Sequence, residues 1–250
     1  MKRNTWIVVG VVVVAVGLAL LLSPLASFTR DSGTQAFSGV TVVEFDLDNS
    51  PIEIRAGGDE VIVDYSFSSG LFGSAEVVLD QSGETLRLEQ DCPGFFIAWG
   101  CQASFDVMVP AGVEVFGSTS NGAVVLTGVE GLVDVTTSNG AISLEDVTSS
   151  VVARTSNGAI SGEGLSSDEF DVATSNGRIT LMFAAAPSSL SARSSNGTID
   201  VLLPADAPPF AVETSTSNGR VRADIRTDPA APGSISLQTS NGDITVGYDD

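Results

Sequence analysis

One tetrapeptide constrains this chain more than any other feature. Thr-Ser-Asn-Gly stands at 119–122, 137–140, 155–158, 174–177, 216–219 and 239–242, and Ser-Ser-Asn-Gly at 194–197. The seven pairs are Asn121-Gly122, Asn139-Gly140, Asn157-Gly158, Asn176-Gly177, Asn196-Gly197, Asn218-Gly219 and Asn241-Gly242, spaced by 18, 18, 19, 20, 22 and 23 residues. A fixed element at a period near twenty marks a repeat architecture, in which each unit buries its apolar face only by stacking on its neighbours.

Aligning the copies on Asn exposes a strict alternation. Six residues before it come Val115, Val133, Val151, Phe170, Leu190, Val212 and Ile235; three after it come Val124, Ile142, Ile160, Ile179, Ile199, Val221 and Ile244. Five after it come Leu126, Leu144, Gly162, Leu181, Val201, Ala223 and Val246, and the residues between are mostly polar or small. Period-two alternation predicts strands with one buried and one wet face.

Asn-Gly supplies two residues that tolerate positive φ, which suits either a tight hairpin or the corner of a coil. Hairpins throughout would give one wide sheet with an apolar face and no helix to cover it. A β-solenoid instead places one strand on each side of the corner, in two sheets about 10 Å apart, a gap that side chains fill. Size therefore favours the solenoid over the hairpin meander, with six steps of about 4.8 Å spanning roughly 29 Å. Small residues four before Asn (Gly117, Ala153, Ala192) are expected to keep the corner thin, and the opposite edge to absorb the insertions. The stacked Asn and Thr columns read first as a structural hydrogen-bond ladder. A carbohydrate or divalent cation on the same column is the functional alternative. Recognition is better sought on the variable residues after Gly (Ala123, Ala141, Ala159, Arg178, Thr198, Arg220 and Asp243) or on the lengthening loops of the opposite edge.

Ahead of the repeats, 1–5 is a short basic tail and 6–22 an unbroken apolar run, weakly extended to 28. That length crosses a bilayer as a helix, and Lys2 and Arg3 orient the N-terminus to the cytoplasm. The reading is a single-pass anchor over 6–28 with the C-terminal part outside the cell; a cleaved signal peptide, with small residues Ala26 and Ser27 near the cut, is the alternative. A polar linker follows over 29–35, then a β-rich lead-in or cap over 36–112. Its strands are expected at 40–47, 51–55, 60–67, 76–79, 85–89 and 104–109. Within it, Asp48-Asn49-Ser50-Pro51-Ile52-Glu53-Ile54 looks like a degenerate first copy of the repeat. The repeat solenoid is expected over 113–247, and 248–250 is an acidic tail. Cys92 and Cys101 close a short loop around Pro93-Gly94; outside the cytoplasm this predicts a disulfide, with two unpaired thiols as the alternative.

The formal charge is −20, and Lys2 and Arg3 lie before the apolar run, so the remainder carries 9 basic against 31 acidic residues. That excludes nucleic acid as a partner. It fits either a high-salt habitat, where salt screens the carboxylates, or an ordinary acidic secreted domain. There is no histidine, and Lys2 is the only lysine, which removes His-dependent triads, the usual transition-metal sites and Schiff-base chemistry. No phosphate loop, dinucleotide fingerprint or Gly-Gly-x-Gly-x-Asp calcium coil is present, so no cofactor and no metal are expected. Carboxylate catalysis on polysaccharides remains chemically open. Its densest candidates are Asp168, Glu169 and Asp171, or Asp224 near Arg222 and Arg226. The bland reading of these is solvated rim charge.

The N-terminal span, the lead-in, the Val-Pro-Ala-Gly-Val-Glu-Val stretch at 109–115 and the serial Ser-Asn-Gly-x-Ile rungs together resemble the putative-adhesin β-repeat family, a domain of unknown function. The resemblance covers roughly 40–246. It implies an all-β, solenoid-like domain held at the cell surface, and transfers no catalytic or binding residue. With the chemistry above largely absent, the function expected is a non-enzymatic adhesive or structural module contacting a surface protein or glycan. A carboxylate-based polysaccharide-active enzyme and an envelope-sensing partner of a membrane signalling system are the alternatives.

Overall fold

The computed structural model describes residues 29–69, 76–91 and 102–249. The expected tail and anchor (1–28), Cys92 and Cys101 lie outside the described residues. Among those residues there is no helix. The strands are β1 (Thr29–Phe37), β2 (Val42–Leu47), β3 (Ile52–Ala56), β4 (Val61–Ser69), β5 (Glu76–Ser82), β6 (Thr85–Asp91) and β7 (Gln102–Val109). Through the repeats run β8 (Glu114–Thr119), β9 (Val124–Thr127), β10 (Val133–Thr137), β11 (Ile142–Glu145), β12 (Val151–Thr155), β13 (Ile160–Leu165) and β14 (Glu169–Thr174). They continue as β15 (Ile179–Phe183), β16 (Ser189–Asn196), β17 (Ile199–Leu203), β18 (Ala211–Asn218), β19 (Val221–Ala223), β20 (Ser234–Asn241) and β21 (Ile244–Tyr248). The six lead-in strands fall where the alternation places them.

These strands form two sheets. One runs β1-β4-β7-β3-β9-β11-β13-β15-β17-β21-β19, the other β18-β20-β16-β14-β12-β10-β8-β2-β6-β5. Strands on either side of an Asn-Gly belong to different sheets, so each repeat is one rung of a coil and the hairpin reading does not hold. Registers are parallel and in phase: Val115, Val133, Val151, Phe170 and Leu190 align, as do Val124, Ile142, Ile160, Ile179 and Ile199. These side chains are 2% exposed or less and meet between the sheets in one continuous core.

The stack is longer than the seven copies. In spatial order its rungs are β6/β7, β2/β3, β8/β9, β10/β11, β12/β13, β14/β15, β16/β17, β20/β21 and β18/β19. Eight steps of about 4.8 Å make roughly 38 Å. The degenerate copy at Asn49 is a true rung, with Ile52 in register with Val124. The segment expected as a linker, 29–35, is instead most of β1, paired antiparallel with β4. Its polarity misled because an edge strand needs backbone partners rather than an apolar face.

Chain order and spatial order part at the C-terminal end. The last repeat slips between its two predecessors, so β20 pairs both β16 and β18. Inward residues explain the choice. The inserted rung offers Ile235, Leu237, Ile244 and Val246, all 1% exposed or less; the rung left outside offers Val212, Thr214, Val221 and Ala223 at the same registers. Burying the more apolar set is the more favourable arrangement, since each large aliphatic side chain is worth about 1.5–3 kcal/mol on burial.

Candidate functional site

The Asn-Gly corner is built by contact between rungs. From the second copy on, the motif hydroxyl donates to the Gly carbonyl of the adjacent rung: Thr137 to Gly122 (3.0 Å), Thr155 to Gly140 (2.9 Å), Thr174 to Gly158 (2.9 Å), Ser194 to Gly177 (3.0 Å); in the first, Thr119 donates to the Ser50 carbonyl (3.2 Å). The hydroxyl also accepts from its own Gly N–H, at 3.1 Å for Gly140 and Gly158. Outside this line the Asn amides form a one-directional ladder. Asn139 donates to Asn121 (2.6 Å), Asn157 to Asn139 (2.8 Å), Asn176 to Asn157 (2.9 Å) and Asn196 to Asn176 (2.9 Å). Beyond the crossing of chain order it continues, Asn241 to Asn196 and Asn218 to Asn241, both 2.8 Å. Asn121 also donates to Asn49, which confirms the degenerate copy. The column thus has its polar groups engaged rung to rung, the arrangement of a structural ladder.

Glycine is needed at this corner for a reason other than the expected one. None of these glycines has a positive φ. A Cβ on Gly140 or Gly158 would lie 1.8 Å from the carbonyl oxygen of the Gly one rung below, and one on Gly177 1.9 Å. Positive φ falls at the opposite edge instead, seven residues after Asn, at Gly128 (70°), Asp146 (52°) and Gly164 (67°). The small residues four before Asn do not thin the corner either. They face the core, where Gly117 makes room for the Phe45 ring, which a Cβ there would meet at 2.4 Å, and Ala153 and Ala192 are fully buried.

The residues after Gly do form a column. The carbonyls of Ala123, Ala141, Ala159, Arg178, Thr198, Asp243 and Arg220 accept, in that spatial order, from the N–H that opens the strand one rung back in the first sheet. Ala123 opens onto a surface hollow of about 710 Å³ where the rungs meet the antiparallel β4 and β1. Its polar lining includes Glu53, Asp64, Asp106, Tyr65 and the hydroxyls of Ser32, Thr34, Ser66 and Ser104. Arg55 binds Glu53 and Asp106, each at 2.6 Å, Thr34 donates to Asp64, and Ser66 and Ser104 share a hydrogen bond of 2.9 Å. On the other sheet a hollow of about 470 Å³ sets Phe116 beside Glu44, Asp46, Arg87 and Glu89, with Arg87 bonded to Glu44 at 2.7 Å. Alternation alone did not reveal either hollow, because each joins residues from strands distant in sequence.

The carboxylate clusters do not come together as an acid–base pair. Asp171 faces outward between two arginines, its Oδ2 2.8 Å from Arg154 and its Oδ1 3.0 Å from Arg193. Asp168 accepts weakly from the Ser188 hydroxyl at 3.5 Å, and its carbonyl takes the N–H groups of Ser188 and Ser189. Asp224 sits 3.8 Å from Arg222, both about three-quarters exposed. Arg226 is turned elsewhere, its N–H bonded to the Tyr248 hydroxyl at 2.8 Å and its guanidinium to the Ala207 carbonyl. No group of three metal-ligating side chains occurs among the described residues.

Fold and corner chemistry define the class: an all-β repeat protein coiled into two facing parallel sheets, with ladders of Asn and Thr along one edge. The chain belongs to the Toastrack DUF4097 family, whose model matches residues 111–247, as the serial rungs indicate. No curated protein matches it. Among solved structures it is similar to a "putative lipid binding protein" from Parabacteroides distasonis, at 11% identity and TM-score 0.50, over 88% of this chain and 97% of that one. It is also similar to a "putative adhesin" from Parabacteroides merdae (11% identity, TM-score 0.42, 89% and 97% covered) and another from Bacteroides fragilis (12%, 0.40, 88% and 98%). At such identities the likeness is one of fold.

Proposed function

We propose that this protein is a non-enzymatic surface module, held on the outer face of the cell membrane by residues 6–28 and presenting a rigid rod to a surface protein or glycan. The observation that carries this reading is where the chemistry lies. The interior is filled by aliphatic and aromatic side chains, so contact with another molecule falls to the outer faces, where the two hollows supply carboxylates, hydroxyls and Phe116. Carboxylates and hydroxyls accept and donate to sugar hydroxyls, and an aromatic face packs against a sugar ring.

Two measurements test it. Protease added to intact cells should remove the repeat domain while leaving an N-terminal fragment in the membrane fraction. A mature chain lacking residues 1–28 and free of the membrane would overturn the anchor. Glycan-array binding that weakens on Phe116→Ala, with no release of shortened product, supports the recognition role. Hydrolysis of a polysaccharide that disappears on Asp171→Asn would replace it with the enzymatic one.

A further inference from the structure

The two ends of the stack are finished differently. At the β6/β7 end, β4 and β1 extend one sheet and β5 the other, all antiparallel, and the inward residues of that rung, Leu86, Leu88, Phe105 and Val107, are buried. At the β18/β19 end no described strand follows; the outer backbone is bridged just ahead of β18, where Phe210 bonds Arg226 and Asp228, and is left open along β18 and β19 themselves. No residue of either strand is buried: Val221 is 44% exposed, whereas Ile244, its register partner one rung in, is 0% exposed. Val212, Thr214, Val221 and Ala223 hold the positions that face the core in every inner rung. Two backbone edges and an open cross-section of the core therefore lie at one end of the rod. Unpaired edges of this kind template further pairing.

We propose that this end is a self-association surface, on which two copies meet end to end about a twofold axis running between their sheets. The axis places β18 of one copy beside β19 of the other, twice, and a twofold of this kind makes both new pairings antiparallel. Such a contact is isologous and closes as a dimer. A second copy is the occupant that fits, for two reasons. It presents the same open section, two strands at the same sheet spacing, so the exposed inward side chains of each copy cover those of the other. Charge agrees as well. The chain carries −20 overall, which repels copies approaching by most faces, yet this rung and its exit hold Arg220 and Arg222 among Glu213 and Asp224. Glu213 lies five residues before Asn218 and Arg222 four after it, at nearly equal distance from the corner, and both point outward. The axis therefore brings Glu213 of each copy against Arg222 of the other.

The contact is small. Two strands of this length and the core section between them bury roughly 1,000 Å² in total, the lower bound for a specific interface, so the dimer is weak, with a dissociation constant on the order of 10–100 µM. Sedimentation velocity of the full chain in detergent, over a concentration series, should show a reversible monomer–dimer equilibrium. Arg222→Glu sets like charges together twice and should weaken it about tenfold or more. The double variant Glu213→Arg with Arg222→Glu restores the pairing in reverse and should recover the dimer. Both residues are exposed, so thermal melting followed by circular dichroism should stay unchanged in each variant. A chain that remains monomeric at about 0.5 mM overturns the proposal. So does a dimer indifferent to Arg222→Glu, or a double variant no stronger than the single one.

Discussion

Replacing Thr155 by valine separates the two ladders energetically. The Thr155 hydroxyl is buried, donates to the Gly140 carbonyl at 2.9 Å and accepts from the Gly158 N–H at 3.1 Å. Valine has nearly the same shape and keeps the β-branch, so the strand itself is not disturbed. What is lost is the partner of two buried backbone groups, each of which costs about 1–3 kcal/mol when left unsatisfied. The added methyl group returns about 0.8 kcal/mol of burial. The expected loss is about 2–4 kcal/mol. Asn157→Ala breaks three hydrogen bonds, to Asn139 at 2.8 Å, to the Ser138 carbonyl at 3.4 Å and from Asn176 at 2.9 Å, but on an exposed edge. Water takes over the freed groups there, and the expected cost is only about 1 kcal/mol. Urea unfolding of the full-length protein, followed by far-ultraviolet circular dichroism, measures both, with the denaturant slope checked for constancy. If Asn157→Ala costs as much as Thr155→Val, or Thr155→Val lies within about 0.5 kcal/mol of the parent, the assignment of stability to the inner ladder is wrong.

The remaining expectations are these. Gly158→Ala drives a Cβ to 1.8 Å from the Gly140 carbonyl oxygen and must spread two rungs, so it should cost about 3 kcal/mol or more in the same assay. A neutral result would mean the rungs are not in contact at the corner. Leu237→Ala, at a fully buried position of the inserted rung, should cost about 2–4 kcal/mol, and Val221→Ala in the outer rung less than about 1 kcal/mol. The reverse ranking would restore the rungs to chain order. Burial pushes the Tyr248 phenol up, but the backbone N–H and guanidinium of Arg226 outweigh it and hold the pKa below the ordinary 10.0. A folded value below the unfolded one adds stability as pH rises through the folded value, complete above the unfolded one. The parent should therefore gain stability over Tyr248→Phe as pH climbs toward and past 10. A gap that narrows over that range contradicts the Arg226 clasp.

Much of the corner could be read without coordinates, because a ladder requires the same residue in every rung. Asn, Thr and Gly repeat for that reason, and Asn49 could be recognised among less regular neighbours by its offset from Ile52 and Ile54. The reason for the glycine could not be read. Positive φ and a bare approach of two backbones leave the same letter in the sequence, and only the stacked Gly carbonyls tell them apart. The hollow beside Ala123 was illegible for another reason. Glu53, Asp64 and Asp106 meet only because β4, β7 and β3 are neighbours in the sheet, a pairing that no local pattern encodes.

By itself the sequence determined the class: strands of period two, a repeat near twenty residues, a core of aliphatic layers and an edge of Asn and Thr. Each of these follows from short-range periodicity, which fixes the face on which a side chain lies. Tertiary structure alone decided the order of the rungs, the strand fate of 29–35 and the open β18/β19 end. All three depend on which repeat best covers its neighbour, and that is a comparison of buried areas between segments far apart in the chain. Copies alike in motif differ there in Thr214 against Leu237 and Ala223 against Val246, and these side chains set which repeat is buried and which is left at the end.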